Sequence, residues 1–338
     1  MTSATNRPTL LDVARAAGVS RATASRVLSG QTTVDPELAD RVHLAARRLD
    51  YRTNTAARAL RSGTSGSVAV IAPNSEVEGL SGPFVGAPLR GATTTLLEHS
   101  ILPVLLLDDG QEPTPLTGYL TSGHVDGAVV ILQRETETLF RQLRGLPIPV
   151  VYVGHPTTEL TEDDTFVDSD NYGGARLAAR ALIEAGRTNI GTIAGRAPYR
   201  PALERLRGFN DELAAWGMTP VPVAHGDFTM ASGAVAMAQL LKRSPAVDGV
   251  FVQSDLMAVG AMRVLTASGR QIPTDVSLVG FDDTVVAATA DPPLTSVRQR
   301  LQEMGAIAAR IVLGSLGSRI TEPQHVFAQT RLVVRDSV

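Results

Sequence analysis

The chain has no cysteine among its 338 residues, which excludes disulfides and thiolate-bound metal. Its six histidines, His43, His99, His124, His155, His225 and His325, show neither i, i+4 pairing nor an HExxH run, so no metal centre is expected. No two glycines are separated by a single residue, and the GxGxxG dinucleotide fingerprint therefore cannot occur. A GK[ST] phosphate loop and a GxSxG nucleophile elbow are missing too. These gaps remove the commonest chemistries of doubly wound folds and favour binding without catalysis and without a cofactor. There is no apolar run of 18 residues or more, and the start "MTSATNRPTLLDVA" lacks the basic stretch and apolar core of a secretory signal. A cytoplasmic chain with no membrane partner is the expectation.

What the chain does contain is a 43% hydrophobic composition, enough for substantial cores, on a length that calls for two or three folded units. Its net charge of −3 is unevenly spread. Residues 1–63 hold ten arginines, no lysine and five acidic residues, a surplus of +5 that leaves −8 to the remainder. A small basic segment joined to a larger acidic one points to a polyanion partner for the former, although arginines on solvated helix faces would give the same count.

From Thr9 to Asp50 the apolar spacing is helical three times over. Thr9 can cap "LLDVARAAG", whose Leu10, Val13, Ala14 and Ala17 fall on one face and whose end is marked by Gly18. Ser20 can cap "RATASRVLSG", closed by Gly30, and Asp35 with Pro36 opens "PELADRVHLAARRLD". Three short helices, the first two joined by a tight turn at Gly18, form a helix-turn-helix arrangement. The alanine-rich stretch "RTNTAARALRSGTSGS" that follows is too short to be a stable helix alone and reads as a linker.

Beyond Ser67 strands and helices alternate. The runs "SVAVIA", "LPVLLL", "DGAVVIL", "IPVVYVG", "NIGTIAG", "DGVFVQS" and "VSLVGF" are short and rich in Val and Ile, as strands of parallel sheets covered on both faces are. They form two series, roughly Val68 to Val153 and Asn189 to Phe281, joined through "TFVDSDNYGG". Two such lobes leave a cleft at the carboxyl ends of their strands, suited to a small molecule. A solute-binding protein of the periplasmic type and an enzyme that uses the cleft share this architecture and stay open on the residues alone.

In this order of parts the chain resembles the LacI/GalR family of bacterial transcription regulators. The match is densest in "TLLDVARAAGVSRATASRVLSG" and "RLDYRTNTAARALRSG", and continues in "RLRGF" (205–209), "GDF" (226–228), "SDLMAVGAMRVL" (254–265), "DVSLVGFDD" (275–283), "PPLTSVRQ" (292–299) and the terminal "LVVRDS". The resemblance implies an all-α helix-turn-helix head at 1–52, a hinge helix at 53–66 and an α/β body at 67–338. The body would be two doubly wound parallel-sheet lobes of the periplasmic-binding-protein-like type I, with lobe 1 at about 67–166 and 298–326 and lobe 2 at about 167–297 and 327–338.

The same resemblance implies a repressor of carbohydrate-utilisation genes. It would act as a homodimer, or a tetramer, on double-stranded, pseudo-palindromic operator DNA, and would respond to a sugar or sugar derivative. Arg21, Ala22 and Arg26 would face bases, and Thr9, Thr23 and Ser25 phosphates. Tyr51 at the end of the head and Asn54, Ala57 and Leu60 in the hinge would also bind DNA, with Leu60 as a wedge in the minor groove. Thr53 stands where the family usually has proline, which leaves the hinge start less preset. In the cleft it implies Arg205, Phe228, Ser254 and Asp282 on one lobe and Phe84 on the other as effector contacts, with Asp255 read as a helix cap. Arg196, Tyr199 and Arg200 add donors near the cleft mouth.

Overall fold

The computed structural model describes residues 8–28, 34–51, 64–74, 82–110, 115–132, 137–155, 164–219, 223–318, 320 and 322–338. The chain falls into two compact units, Met1–Ser65 and Gly66–Val338. Hinge residues 52–63, with Thr53, Asn54, Ala57 and Leu60, lie outside the described residues, as does Gly30.

The first unit holds α1 (Leu10–Ala17), α2 (Arg21–Leu28) and α3 (Pro36–Arg48). Its boundaries follow from local chemistry. Thr9 and Asp12 form a reciprocal capping box at α1, which satisfies amide groups that the first turn leaves bare. Gly18, at φ 62, ends that helix in the left-handed conformation that costs glycine nothing. The Ser20 hydroxyl accepts from Thr23 N at 3.0 Å, and Asp35 caps α3 beside Pro36. Val13, Ala14, Ala17, Ala24, Val27, Val42, Ala45 and Ala46 make a small core, with Val19, Leu28, Leu49 and Tyr51 packed on its margin. The Arg41 guanidinium donates to Ala17 O at 2.6 Å and so ties α3 to the turn between α1 and α2.

In the second unit two six-stranded sheets follow one another. The elements are β1 (Ser67–Pro73), α4 (Pro83–Glu98), β2 (Leu102–Asp108), α5 (Leu116–Thr121), β3 (Ala128–Ile131), α6 (Glu137–Leu143), β4 (Val150–Val153) and β5 (Phe166–Ser169). Then come α7 (Asn171–Glu184), β6 (Ile190–Ala194), α8 (Arg200–Ala215), β7 (Ala224–His225), α9 (Met230–Arg243), β8 (Gly249–Val252), α10 (Asp255–Ala267) and β9 (Ser277–Asp282). The last are α11 (Val285–Ala288), β10 (Thr295–Arg298), α12 (Leu301–Gly314), β11 (His325–Ala328) and β12 (Arg331–Val333). The sheet orders are β11-β5-β4-β3-β1-β2 and β12-β10-β9-β8-β6-β7. All pairs are parallel except β12 against β10.

The inner strands of both sheets are buried on both faces, and alternate residues part to opposite sides. Val68, Val70 and Ala72 meet α4 and α12, whereas Ala69 and Ile71 meet α5 and α6. In β8 Val250 and Val252 face α9 and α10, while Phe251 faces α7 and α8. The helix pair α4–α12 crosses at glycines, where a Cβ on Gly91 would stand 1.8 Å from Gln302 O and one on Gly305 2.0 Å from Pro88 O.

Three crossovers join the sheets: β5 to α7, β10 to α12 and β11 to β12. The stretch expected as a plain connector, "TFVDSDNYGG", contains β5, and β7, β10, β11 and β12 are further strands that the apolar runs did not reveal. Each is only two to four residues long, and much of their sequence is polar. The first sheet reaches Ser169 and Ala328, a little past the crossings expected near 166 and 326. Among the described residues no helix is long and apolar enough to cross a membrane.

Candidate effector cleft and DNA-reading helix

In the first unit α2 turns Ala24 and Val27 into the core and leaves Arg21, Ala22 and Arg26 exposed on the opposite side. Thr23 and Ser25 are half-buried at the edge of that face. The Thr23 hydroxyl shares a 2.9 Å hydrogen bond with Ser20. The Thr9 hydroxyl donates to the Asp12 carboxylate at 2.7 Å within the capping box. Tyr51 is half-buried against the small core.

In the second unit the polar residues gather at the carboxyl ends of the strands. In the second sheet β6, the first strand in sequence, lies between β7 and β8, and that reversal of winding opens a crevice beyond the strand ends. Asp282 ends β9, Ser254 follows Gln253 just after β8, and Phe228 follows β7. Arg205 reaches them from the second turn of α8 and is 5% exposed. Its Nε donates to Asn171 Oδ1 at 2.8 Å and its Nη1 to Gln253 O at 2.6 Å. Nη1 also lies 3.8 Å from Asp282 Oδ1, and the guanidinium carbon sits 3.7 Å over the Phe281 ring.

Phe228 rests on Gly195, where a Cβ would come within 2.2 Å of its Cζ, and meets Tyr199 edge-on at 5.5 Å. Both Phe228 (φ 70) and Asp282 (φ 113) are held at positive φ, a costly backbone state for residues with a Cβ that clusters at ligand clamps and switch regions. Ser254, not Asp255, caps α10, accepting from Met257 N at 3.2 Å. Asp255 is the first helical residue, fully buried, and accepts from Ser296 Oγ at 2.6 Å and from the Thr284 amide and hydroxyl at 2.7 and 2.9 Å. Desolvation raises its pKa. Phe84 is half-buried in the first turn of α4 and shares no ring contact with Phe228 or Tyr199.

Four residues of this cluster went unmarked in the sequence: Asp168, Asn171, Gln253 and Gln299. Asp168 is buried and accepts from Ser169 N at 2.8 Å and Asn171 Nδ2 at 3.2 Å. Burial pushes its carboxyl up to about 6, against the pull of Arg205. Their signal lay in three strands that end in a polar run, "VDSDN", "VFVQS" and "SVRQ". A groove of about 800 Å³ has walls from α4 and α12 and from Asp282, Asp283, Arg298 and Gln299. A second cavity, about 530 Å³, lies beside Phe228 between Arg196, His225, Asp227 and Ser232. Arg200 is paired with Glu204 at 3.0 Å. Among the described residues no group of three or more His, Asp or Glu side chains is placed to hold a metal ion.

The family pattern "Bacterial regulatory proteins, lacI family" matches residues 9–54, and a "Periplasmic binding protein-like domain" matches residues 179–338. Over 334 residues the chain is 40% identical to the HTH-type transcriptional regulator CelR of Thermobifida fusca, with 98% of each chain covered. This chain belongs to the LacI family. As a LacI-family member it is a DNA-binding transcription regulator with a helix-turn-helix head and two parallel-sheet lobes. A solved complex of the transcriptional regulator CelR with cellobiose is similar at 39% identity and a TM-score of 0.71, covering 98% of this LacI-family chain and 100% of that one. The lac repressor dimer bound to operator and the anti-inducer ONPF matches at a TM-score of 0.78 and 23% identity, over 98% and 99% of the two chains. At that identity the likeness concerns the fold.

Proposed function

We propose that this chain is a cytoplasmic, non-enzymatic repressor of carbohydrate-utilisation genes. In this reading it binds a pseudo-palindromic operator as a homodimer and answers to a neutral sugar of the cellobiose kind held at the strand ends of its lobes. The observation that carries the reading is the buried Arg205–Asp282 pair at the strand ends, in a chain 40% identical to a regulator named CelR. Asp282 accepts from vicinal hydroxyls, and Arg205 has five N–H groups, of which the two bonds above engage two. Phe228 offers a ring face to the apolar side of a sugar, Ser254 keeps its hydroxyl proton while its oxygen caps α10, and Phe84 contributes from the other lobe.

On α2, Arg21, Ala22 and Arg26 read base edges and Thr23 and Ser25 bond phosphates. Tyr51 at the end of the head and Asn54, Ala57 and Leu60 in the hinge also bind DNA, with Leu60 as the minor-groove wedge. Ligand and operator are then linked reciprocally through the rotation of one lobe against the other.

The test uses the full chain and an operator selected from a random duplex library, with affinity read by fluorescence anisotropy. Cellobiose at saturation should shift operator affinity by about tenfold or more, within the ordinary range of allosteric coupling. Asp282→Ala should keep operator binding and lose cellobiose binding in calorimetry. Operator affinity unmoved by cellobiose, glucose and β-glucosides, or unchanged ligand affinity in Asp282→Ala, would refute the assignment.

A further inference from the structure

Ser169 and Gln299 are 130 residues apart, in different sheets and at different crossovers, yet the Ser169 hydroxyl donates to Gln299 Oε1 at 2.6 Å. Ser169 closes β5 in the first sheet and is 1% exposed. Gln299 directly follows β10 of the second sheet, where the chain leaves for α12. The other end of the Gln299 amide, Nε2, donates to Asp282 Oδ1 at 2.7 Å. From Asp282 the contacts run on to Arg205, then to Asn171 Oδ1, and Asn171 Nδ2 returns to Ser169 O at 3.0 Å. The result is a closed polar ring, Ser169–Gln299–Asp282–Arg205–Asn171–Ser169, that threads two of the three crossovers.

Chemistry fixes the direction of both amides in the ring. A carboxylate only accepts, so Gln299 must turn its NH2 to Asp282 and keep its oxygen for Ser169; a guanidinium only donates, so Asn171 must turn its oxygen to Arg205. Gln299 therefore cannot release Asp282 by a simple flip, because the flipped amide would set its oxygen against the Asp282 carboxylate, acceptor against acceptor.

We propose that Gln299 is a positioning residue that reports occupation of Asp282 to the first sheet. The proposal rests on the reading of Asp282 as an effector contact. Asp282 Oδ1 carries the Gln299 bond and faces Arg205. A ligand that takes this carboxylate through two vicinal hydroxyls competes with Gln299 for the same oxygen. Once displaced, the amide no longer holds Ser169 in place, and the strap between the β5–α7 and β10–α12 crossovers slackens. Lobe rotation becomes easier in the liganded protein for this reason, and ligand chemistry is converted into a change at the crossovers rather than within either core.

The experiment measures one ratio, operator affinity with and without saturating cellobiose, in the full-length wild type and in Gln299→Met and Ser169→Ala. Gln299→Met keeps length and removes both bonds; Ser169→Ala breaks the strap from its far end without touching Asp282. In each variant the ratio should collapse to within about twofold of unity. The double variant should be no worse than either single one, because the two side chains act through one bond. A merely structural role would lower the melting temperature and leave the ratio intact. If Gln299→Met does not fold, Ser169→Ala alone decides. A wild-type ratio retained in Ser169→Ala overturns the strap while leaving the effector reading standing. A wild type indifferent to every sugar tried overturns both.

Discussion

Arg205→Met tests the site and the fold together. The substitution keeps much of the side-chain length and removes the hydrogen bonds to Asn171 and Gln253, the ion pair with Asp282 and the cation over Phe281. Removing one partner of a buried charge pair costs about 3–5 kcal/mol, because the other charge stays buried without compensation. For a unit of this size that is a fall in melting temperature of roughly 5–9 °C.

The deficit must also depend on pH, and its sign follows from Asp168. Its carboxyl is already pushed up to about 6 by burial, with Arg205 opposing that rise. Between the ordinary carboxylate range and 6 the native state holds a proton that the unfolded chain has lost, so stability falls as pH rises through that window. Without Arg205 the folded value climbs further and the window extends upward. Urea unfolding of wild type and Arg205→Met at pH 5.0 and 7.5 should therefore show the larger deficit at 7.5. Replacing both partners, as in Arg205→Met with Asp282→Leu, should recover part of the loss, since an apolar pair of similar volume leaves no charge stranded. A deficit below about 1 kcal/mol at pH 7.5, or one that grows on acidification, would refute the role given to Arg205.

Arg26→Ala should lose discrimination among operator variants, by about 1–3 kcal/mol at one base pair, more than it loses non-specific affinity. A uniform loss across all sequences with a shallower salt slope would reassign Arg26 to a phosphate. At the α4–α12 crossing, Gly305→Ala drives a Cβ to 2.0 Å from Pro88 O and should destabilise the second unit by about 1–3 kcal/mol in urea unfolding. Gly314→Ala, at the open end of the same helix with nothing within 4 Å, should instead be neutral or stabilising. The same sign at both positions would contradict the account of that crossing.

The parts legible in the sequence are those written in neighbouring residues. Caps at Thr9, Ser20 and Asp35, the turn at Gly18 and seven apolar strands each depend on contacts within a few positions, so their signals survive in one dimension. β5 and β10 escaped because short strands with polar ends carry too few apolar residues to show a period. Thr9 could be read as a cap, but the bond from its hydroxyl to Asp12 was not legible until the two side chains were placed. At α10 two adjacent residues compete for the cap, and the sequence pattern does not say which side chain turns to the Met257 amide; burial of Asp255 against Ser296 and Thr284 leaves that place to Ser254.

By itself, then, the sequence determined a helix-turn-helix head and two parallel-sheet lobes, because period, capping and turn chemistry are local, while the side chains suited to a sugar came from the resemblance to the LacI/GalR family. Only the tertiary structure decided which of those side chains meet. Arg205 finds Asp282, and Ser169 finds Gln299 across 130 residues, because strands far apart in the chain end at one crevice where two sheets exchange their connections.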